Sequence, residues 1–260
     1  MERTIDSSPA ETQRDETVDT LLGGRVAISQ PAEGYRVAVD AVLLAAAVAG
    51  TTGEHVLDLG CGVGSASLCL AWRRPDLVVT GLDREPVFLA AARGNAVRNG
   101  MEARARFIAG DVLDPPDAIR KARFDQVMLN PPYLKAGSAT VSAHPLKAAA
   151  TAESDAVLAD WIACARAALR PGGVLTLIHR ADRLADVLAA LGHGFGAIVI
   201  LPIHPKRDRA AKRIVLRAKL NSGEPLAMLP GFVLHEEGGA FTAPAEAILR
   251  DGAALDLGST

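Results

Sequence analysis

The chain is short of cysteine, of surplus charge and of long apolar runs, and each shortage removes a class of protein. Its three cysteines, Cys61, Cys69 and Cys164, are an odd and sparse set, which is no disulfide framework and fits a reducing compartment. The histidines and cysteines lack metal-ligand spacing, so no metal is expected. Lys and Arg number 28 against 30 Asp and Glu, a formal charge of −2. That balance rules out an overall basic coat for nucleic acid but leaves room for a local patch. Residues 1–20 are polar and carry no apolar signal core, so a disordered tail is expected there rather than a secretion signal. The longest apolar stretch, Ala41 to Ala49, is bounded by Asp40 and Gly50 and is too short to span a bilayer. A soluble, cytoplasmic protein with no membrane partner is the expectation, and no internal repeat is visible.

What is present is ample core material. Hydrophobic residues make up 49% of the 260, and alanine is common, which favours helices. Short apolar runs bounded by Gly, Pro or Asp predict strands at His55–Leu59, Val78–Leu82, Ala105–Ala109, Asp125–Leu129 and Gly173–His179. Helical stretches lie between them at Ser65–Trp72, Glu85–Asn99, Asp155–Leu169 and Ala181–Leu191. The second of these has Pro86 in its first turn and Gly100 just past its end, the usual punctuation of a helix. Alternating strand and helix predicts an α/β fold: a doubly wound, mostly parallel, seven-stranded sheet. Ala197–Ile203 and Arg213–Leu220 have no helix between them and predict an antiparallel hairpin at one edge. The main domain is expected over residues 21–220, with 221–260 as a short appendage packed on it.

Asn130-Pro131-Pro132-Tyr133 directly follows the apolar run Val127-Met128-Leu129. Two prolines cannot continue a sheet ladder, so the chain leaves the sheet there in a rigid turn. Ligands of open parallel sheets bind beyond the carboxyl ends of the strands. The turn offers an amide carbonyl, a backbone carbonyl and an aromatic face, which suit an amino nitrogen on a planar substrate. A plain structural Pro-Pro turn is the alternative.

Three further strand ends align with it. Val56-Leu57-Asp58-Leu59 runs into Gly60-Cys61-Gly62-Val63-Gly64, where glycines let a backbone approach a ligand. Glycine turns of this kind also serve nicotinamide cofactors, although here Ser65 stands where the dinucleotide pattern wants its third glycine. Asp83, about twenty residues on, suits a ribose diol, or an N-cap for Glu85–Asn99. Gly110-Asp111-Val112 offers an acceptor for an adenine amino group and a backbone donor for its ring. Together these describe an adenosine-shaped slot.

The series Asp58, Gly60-Cys61-Gly62, Asp83, Asp111 and Asn130-Pro131-Pro132-Tyr133 resembles the S-adenosylmethionine-dependent methyltransferase superfamily with a Rossmann-like fold, in its amino-methylating branches. Gln30, Gly34 to Leu44, Lys212 to Leu216, Phe232 to His235 and Phe241-Thr242 are similar to the valine-tRNA adenine-N6 methyltransferases. The resemblance implies S-adenosylmethionine as cofactor and an RNA partner, tRNA in the first instance. Asn130 and Pro131 would hold the amine, with Pro132 and Tyr133 against the base. Tyr35, Arg36 and Asp40 would lie over the cofactor mouth, with Asp40 as a helix cap being the alternative. Asp58 would orient the methionine ammonium or organise the turn. Lys206, Arg207, Arg209, Lys212 and Arg213 form the strongest basic run and would contact RNA, unless they are a solvated hairpin loop. Glutamine methylation on a protein such as a release factor, and a non-catalytic cofactor- or RNA-binding module, are the competing functions.

Overall fold

The computed structural model describes residues 16–31, 39–132 and 156–258. Its strands and helices follow in chain order as β1 (Glu16–Leu21), β2 (Val26–Pro31), α1 (Val39–Ala47), β3 (His55–Leu59), α2 (Ser65–Arg73), β4 (Val78–Asp83), α3 (Pro86–Arg98) and β5 (Ala105–Ala109). Then come α4 (Asp117–Arg120), β6 (Phe124–Leu129), α5 (Leu158–Ala168), β7 (Leu169–Arg180), α6 (Leu184–Leu191), β8 (Phe195–His204), β9 (Arg213–Leu220), β10 (Ala227–Met228), β11 (Phe232–Val233) and α7 (Ala243–Asp251).

The described residues form a nine-stranded sheet of order β10-β8-β9-β7-β6-β3-β4-β5, with β11 also on β8. β5, β4, β3, β6 and β7 are mutually parallel, and β9 is antiparallel to both β7 and β8. The seven expected strands are therefore β3 to β9. The two extra ones are short pieces of the appendage that add to the β8 edge, where backbone groups would otherwise be unpaired.

Side chains alternate between the faces, as the period of two requires. Val56, Met128, Ile178 and Val215 face α1, α2 and α3 in one buried cluster. Leu57, Leu59, Leu129, Leu177 and Leu216 face α5 and α6 in a second. Covering both faces explains why the parallel strands read as continuous apolar runs.

Strand β1 begins inside the stretch expected to be a disordered tail. Its residues pair with β2 from Glu16↔Pro31 to Leu21↔Val26. The hairpin is fixed by two asparagines one turn apart, Asn95 on α3 and Asn99 just past its end. The Asn95 amide accepts from the Ser29 N–H at 2.7 Å and donates to the Ser29 carbonyl at 2.9 Å. Asn99 repeats this pairing with Ala27, at 2.9 and 2.8 Å. Two side-chain amides thus satisfy the edge of β2 as a third strand would.

The C-terminal segment closes the other side of the same layer. Leu255 and Leu257 are buried, the Leu255 N–H donates to the Ala46 carbonyl at 2.9 Å, and the Arg217 guanidinium holds the carbonyls of Leu257 and Gly258.

Candidate active site

Parallel register brings the four strand ends together. Leu59 pairs with Leu82 and with Leu129, and Asp83 with Ala109, so Gly60, Asp83, Gly110 and Asn130 leave the sheet side by side. A cleft of about 1300 Å³, counting its open mouth, lies over them. Its lining includes Asp58, Gly60, Cys61, Gly62, Asp83, Asp111, Val112, Asn130, Pro131 and Pro132.

The glycine turn is tied down from below. The Gly60 and Cys61 N–H groups both donate to the Leu82 carbonyl, at 2.8 and 3.0 Å. The Gly62 N–H donates to Asp83 Oδ2 at 2.8 Å, and the Glu85 N–H to Asp83 Oδ1 at 2.9 Å. Asp83 therefore locks the turn between β4 and α3, and each of its oxygens keeps a lone pair for a ligand. Gly60 is required twice over: its φ is +70°, and a Cβ there would lie 2.7 Å from the Trp161 ring.

Asp58 is almost wholly buried, and its Oδ2 accepts from Ser67 Oγ at 2.6 Å. Burial pushes its pKa up to about 7, against the Ser67 hydroxyl that lowers it; Asp83 nearby adds to the rise. Burial also raises the Asp83 carboxyl, against the backbone N–H groups of Glu85, Gly62 and Arg84 that lower it. Asp111 is half-exposed, accepts from the Leu113 N–H at 2.9 Å and lies 3.6 Å from Arg84. Cys61 contributes its backbone to the cleft, while its thiol packs toward Gly81; burial first, then the Asp58 and Asp83 charges, keep the thiol protonated.

Some expected site residues stand elsewhere. Gly64 packs against Phe107, where a Cβ would sit 2.9 Å from the ring, and is not part of the cleft lining. Asp40 does not line the cleft either: it is buried in the first turn of α1 and pairs with Arg213 Nε at 2.9 Å. That pair also takes Arg213 out of the exposed basic set. Lys206 donates to the Glu237 carbonyl at 2.7 Å, whereas Arg207, Arg209 and Lys212 are exposed. Tyr35, Arg36 and Tyr133 lie outside the described residues.

The structure adds residues that pattern reading missed. Arg84 and Glu85 line the cleft from the turn before α3, Phe88 from its first turn, and Leu44 from α1. Trp161 lines it from α5 with its ring against Gly60, and its buried indole N–H has no acceptor among the described residues. His179, at the end of β7, is 2% exposed, and neither ring nitrogen has a partner among the described residues. Burial, with Arg183 and Arg213 adding to it, lowers its pKa to about 4, so the ring is neutral.

Chemically, the cleft is acceptor-rich on the glycine-turn side and ends at a rigid corner bearing a carboxamide. Among the described residues there is no cluster of potential metal ligands, and no helix is long and apolar enough to cross a membrane.

Residues 36–206 match the family described as Methyltransferase small domain. The chain is similar to a tRNA1(Val) (adenine(37)-N6)-methyltransferase of Porphyromonas gingivalis, 35% identical over 169 residues, covering 63% of this chain and 66% of that protein. It is also similar to a release factor glutamine methyltransferase of Bordetella pertussis, 35% identical over 167 residues, covering 62% and 59% of the two chains. Each match thus spans less than two thirds of the relative. Among solved structures, a predicted O-methyltransferase, protein Atu636 from Agrobacterium tumefaciens, matches at 29% identity with a TM-score of 0.71, covering 85% of this chain and 100% of that one.

Proposed function

Since the chain belongs to the Methyltransferase small domain family, we propose that it transfers a methyl group from S-adenosylmethionine to an exocyclic amino nitrogen, N6 of adenine in tRNA. The observation that carries this reading is the juxtaposition of Asn130-Pro131 with the acidic cleft at one edge of the sheet. We assign the catalytic unit to residues 21–220, with 221–260 packed on it, and place the protein in the cytoplasm with its substrate.

The lining fits the cofactor. Asp83 has lone pairs for a ribose diol, and Asp111 with the Val112 N–H matches the edge of an adenine. Asp58 is a buried carboxyl in need of a cation, which an ammonium provides. When bound, S-adenosylmethionine supplies a methyl group already activated by its sulfonium charge. The protein's task is then alignment and exclusion of water. An exocyclic adenine amine is a weak nucleophile because its lone pair is delocalised into the ring. The Asn130 side-chain oxygen and the Pro131 carbonyl accept hydrogen bonds from its two N–H groups and favour a pyramidal nitrogen. Tyr133 and Pro132 pack on the base, and stacking on an aromatic is worth about 1–3 kcal/mol. The target base must leave its own stack to reach the corner. The methylated nitrogen is acidic enough to lose a proton to water, so no strong base is needed. A hydroxyl acceptor, by contrast, must give its proton to a base, and neither Asn130 nor a proline carbonyl is one.

A glutamine side-chain amide on a protein is the second reading, favoured by the similarity to the release factor enzyme. It presents the same planar N–H₂ to the corner. Incubation with labelled cofactor and either purified tRNA or tRNA-depleted extract separates the two. We expect label in tRNA, recovered as N6-methyladenosine after digestion; label confined to protein would overturn the RNA assignment.

A further inference from the structure

We propose that the loop joining β8 to β9 grips one phosphate group of the substrate RNA, through Arg207, Arg209 and Lys212, roughly two to four nucleotides from the methylated base. This rests on the RNA reading above and adds where, and on which part of the RNA, the protein takes hold.

The loop stands at the same edge of the sheet as Asn130. β9 is antiparallel to β7 with Arg180 beside Arg213, and β8 ends with Ile203 beside Arg213, so residues 205–212 emerge next to the end of β7. From β6 the order is β7, β9, β8. With strands ~4.8 Å apart, the loop begins about 10 to 14 Å from the Pro-Pro corner. A stacked strand carries a phosphate every ~3.4 Å, and a splayed one covers the distance with fewer, which sets the interval of roughly two to four nucleotides.

The loop is also built to hold its cations still. The Lys212 N–H donates to the Ile203 carbonyl at 3.0 Å, the Lys212 carbonyl accepts from Ala181 at 3.2 Å, and the Arg209 N–H donates to the Lys206 carbonyl at 3.1 Å. His204 Nδ1 lies 2.7 Å from the Arg209 carbonyl, and the Lys206 ammonium anchors the loop to Glu237. The cations around it are answered: Arg180 by Asp182, Arg183 by Asp186, Arg213 by Asp40. Arg207, Arg209 and Lys212 are the exposed ones with no ion pair among the described residues. Asp208 is the single carboxylate within residues 205–212. Three cations on a fixed loop complement a phosphate diester, whereas a neutral glutamine-bearing peptide segment offers them nothing.

The test uses the full chain and a tRNA anticodon stem-loop in which single phosphates are neutralised as methylphosphonates. For the wild type, neutralising a phosphate two to four nucleotides on one side of the methylated adenine should weaken binding about tenfold. The variant R207Q/R209Q/K212Q, checked for an unchanged melting temperature, should bind the unmodified RNA at least tenfold more weakly. Its slope of log affinity against log salt should be smaller by roughly one. In that variant the same methylphosphonate should cost nothing further, as a shared interaction requires. Equal costs in variant and wild type, or a sensitive phosphate only outside that interval, would overturn the ruler while leaving RNA methylation standing. Failure of the wild type to label any RNA would overturn the RNA reading itself.

Discussion

On one side of β6 the active edge of the sheet is acidic; on the other it is basic. The ends of β3, β4 and β5 carry Asp58, Asp83, Glu85 and Asp111, with Arg84 as the cation among them. The ends of β7, β8 and β9 carry Arg180, Arg183, Lys206, Arg207, Arg209, Lys212 and Arg213; Asp182, Asp186, Asp40 and Glu237 answer four of these, and Asp208 lies within the β8–β9 loop. Asn130 sits at the boundary and is uncharged. A formal charge of −2 for the whole chain conceals this division. The lesson is that, on the function proposed above, a cationic donor and a polyanionic acceptor are sorted to opposite flanks of one neutral corner. Net charge reports neither flank.

The division breaks most sharply at the boundary itself. Asn130→Ala should lower the methyl-transfer rate by about 10²- to 10³-fold, the range seen when one positioned polar group is removed from a reacting centre. Cofactor affinity, measured by calorimetry, should change by less than about threefold. Survival of turnover would remove Asn130 from its role.

A second test uses the pH dependence of stability, because the two flanks carry buried groups of opposite sign. Asp58 has a folded pKa raised to about 7, so its contribution is present at low pH and is lost as pH rises from 4 toward 7. His179 has a folded pKa lowered to about 4, so its contribution is present above 6.5 and is lost as pH falls toward 4. Between these values the slopes oppose, each at about 1.4 kcal/mol per pH unit. Relative to wild type, Asp58→Asn should therefore gain stability as pH rises through that window, and His179→Gln should lose it. Denaturant melts at several pH values will show this; slopes of the same sign would contradict the assignment.

Smaller effects sharpen how the acidic flank is built. Gly60→Ala should cost about 2 kcal/mol, from its left-handed φ and from the Trp161 ring in its way. Adding Trp161→Ala should recover the steric part, so the double variant is less destabilised than the sum. Trp161 is one of two tryptophans, and Trp72 lies on α2 under Arg25, so in a Trp72→Phe background cofactor titration should change the remaining fluorescence. Least of all, Asn99→Ala should lower stability by about 1 kcal/mol through the unpaired Ala27 groups, which partial exposure softens.

Much of the sheet was legible because buried parallel strands announce themselves as short apolar runs. His55–Leu59, Ala105–Ala109 and Arg213–Leu220 have the ends their punctuation indicated. The glycine turn, Asp83, Asp111 and Asn130 were locatable because each follows such a run directly. The β1–β2 hairpin was not, since its edge is satisfied by Asn95 and Asn99, 66 and 72 residues away in sequence. Trp161 falls inside the expected helix Asp155–Leu169, and periodicity says nothing about what a helix face covers. Asp40 carries a charge whose partner, Arg213, lies 173 residues downstream. Gly64 is spaced like its neighbours, yet Phe107 on β5 determines its need for glycine. In each miss, a distant side chain supplied the reason.

The paired asparagines at the end of α3 also govern what the molecule does in company. An open strand edge solicits any other strand, including one from a second molecule. By occupying that edge of β2 with carboxamides, a helix withdraws it from such traffic without contributing a strand. Apolar replacements of similar bulk at both positions would leave the hairpin's inner hydrogen-bonding groups bare. They would turn a private seam into adhesive surface, visible as clumping at concentrations where the parent stays clear.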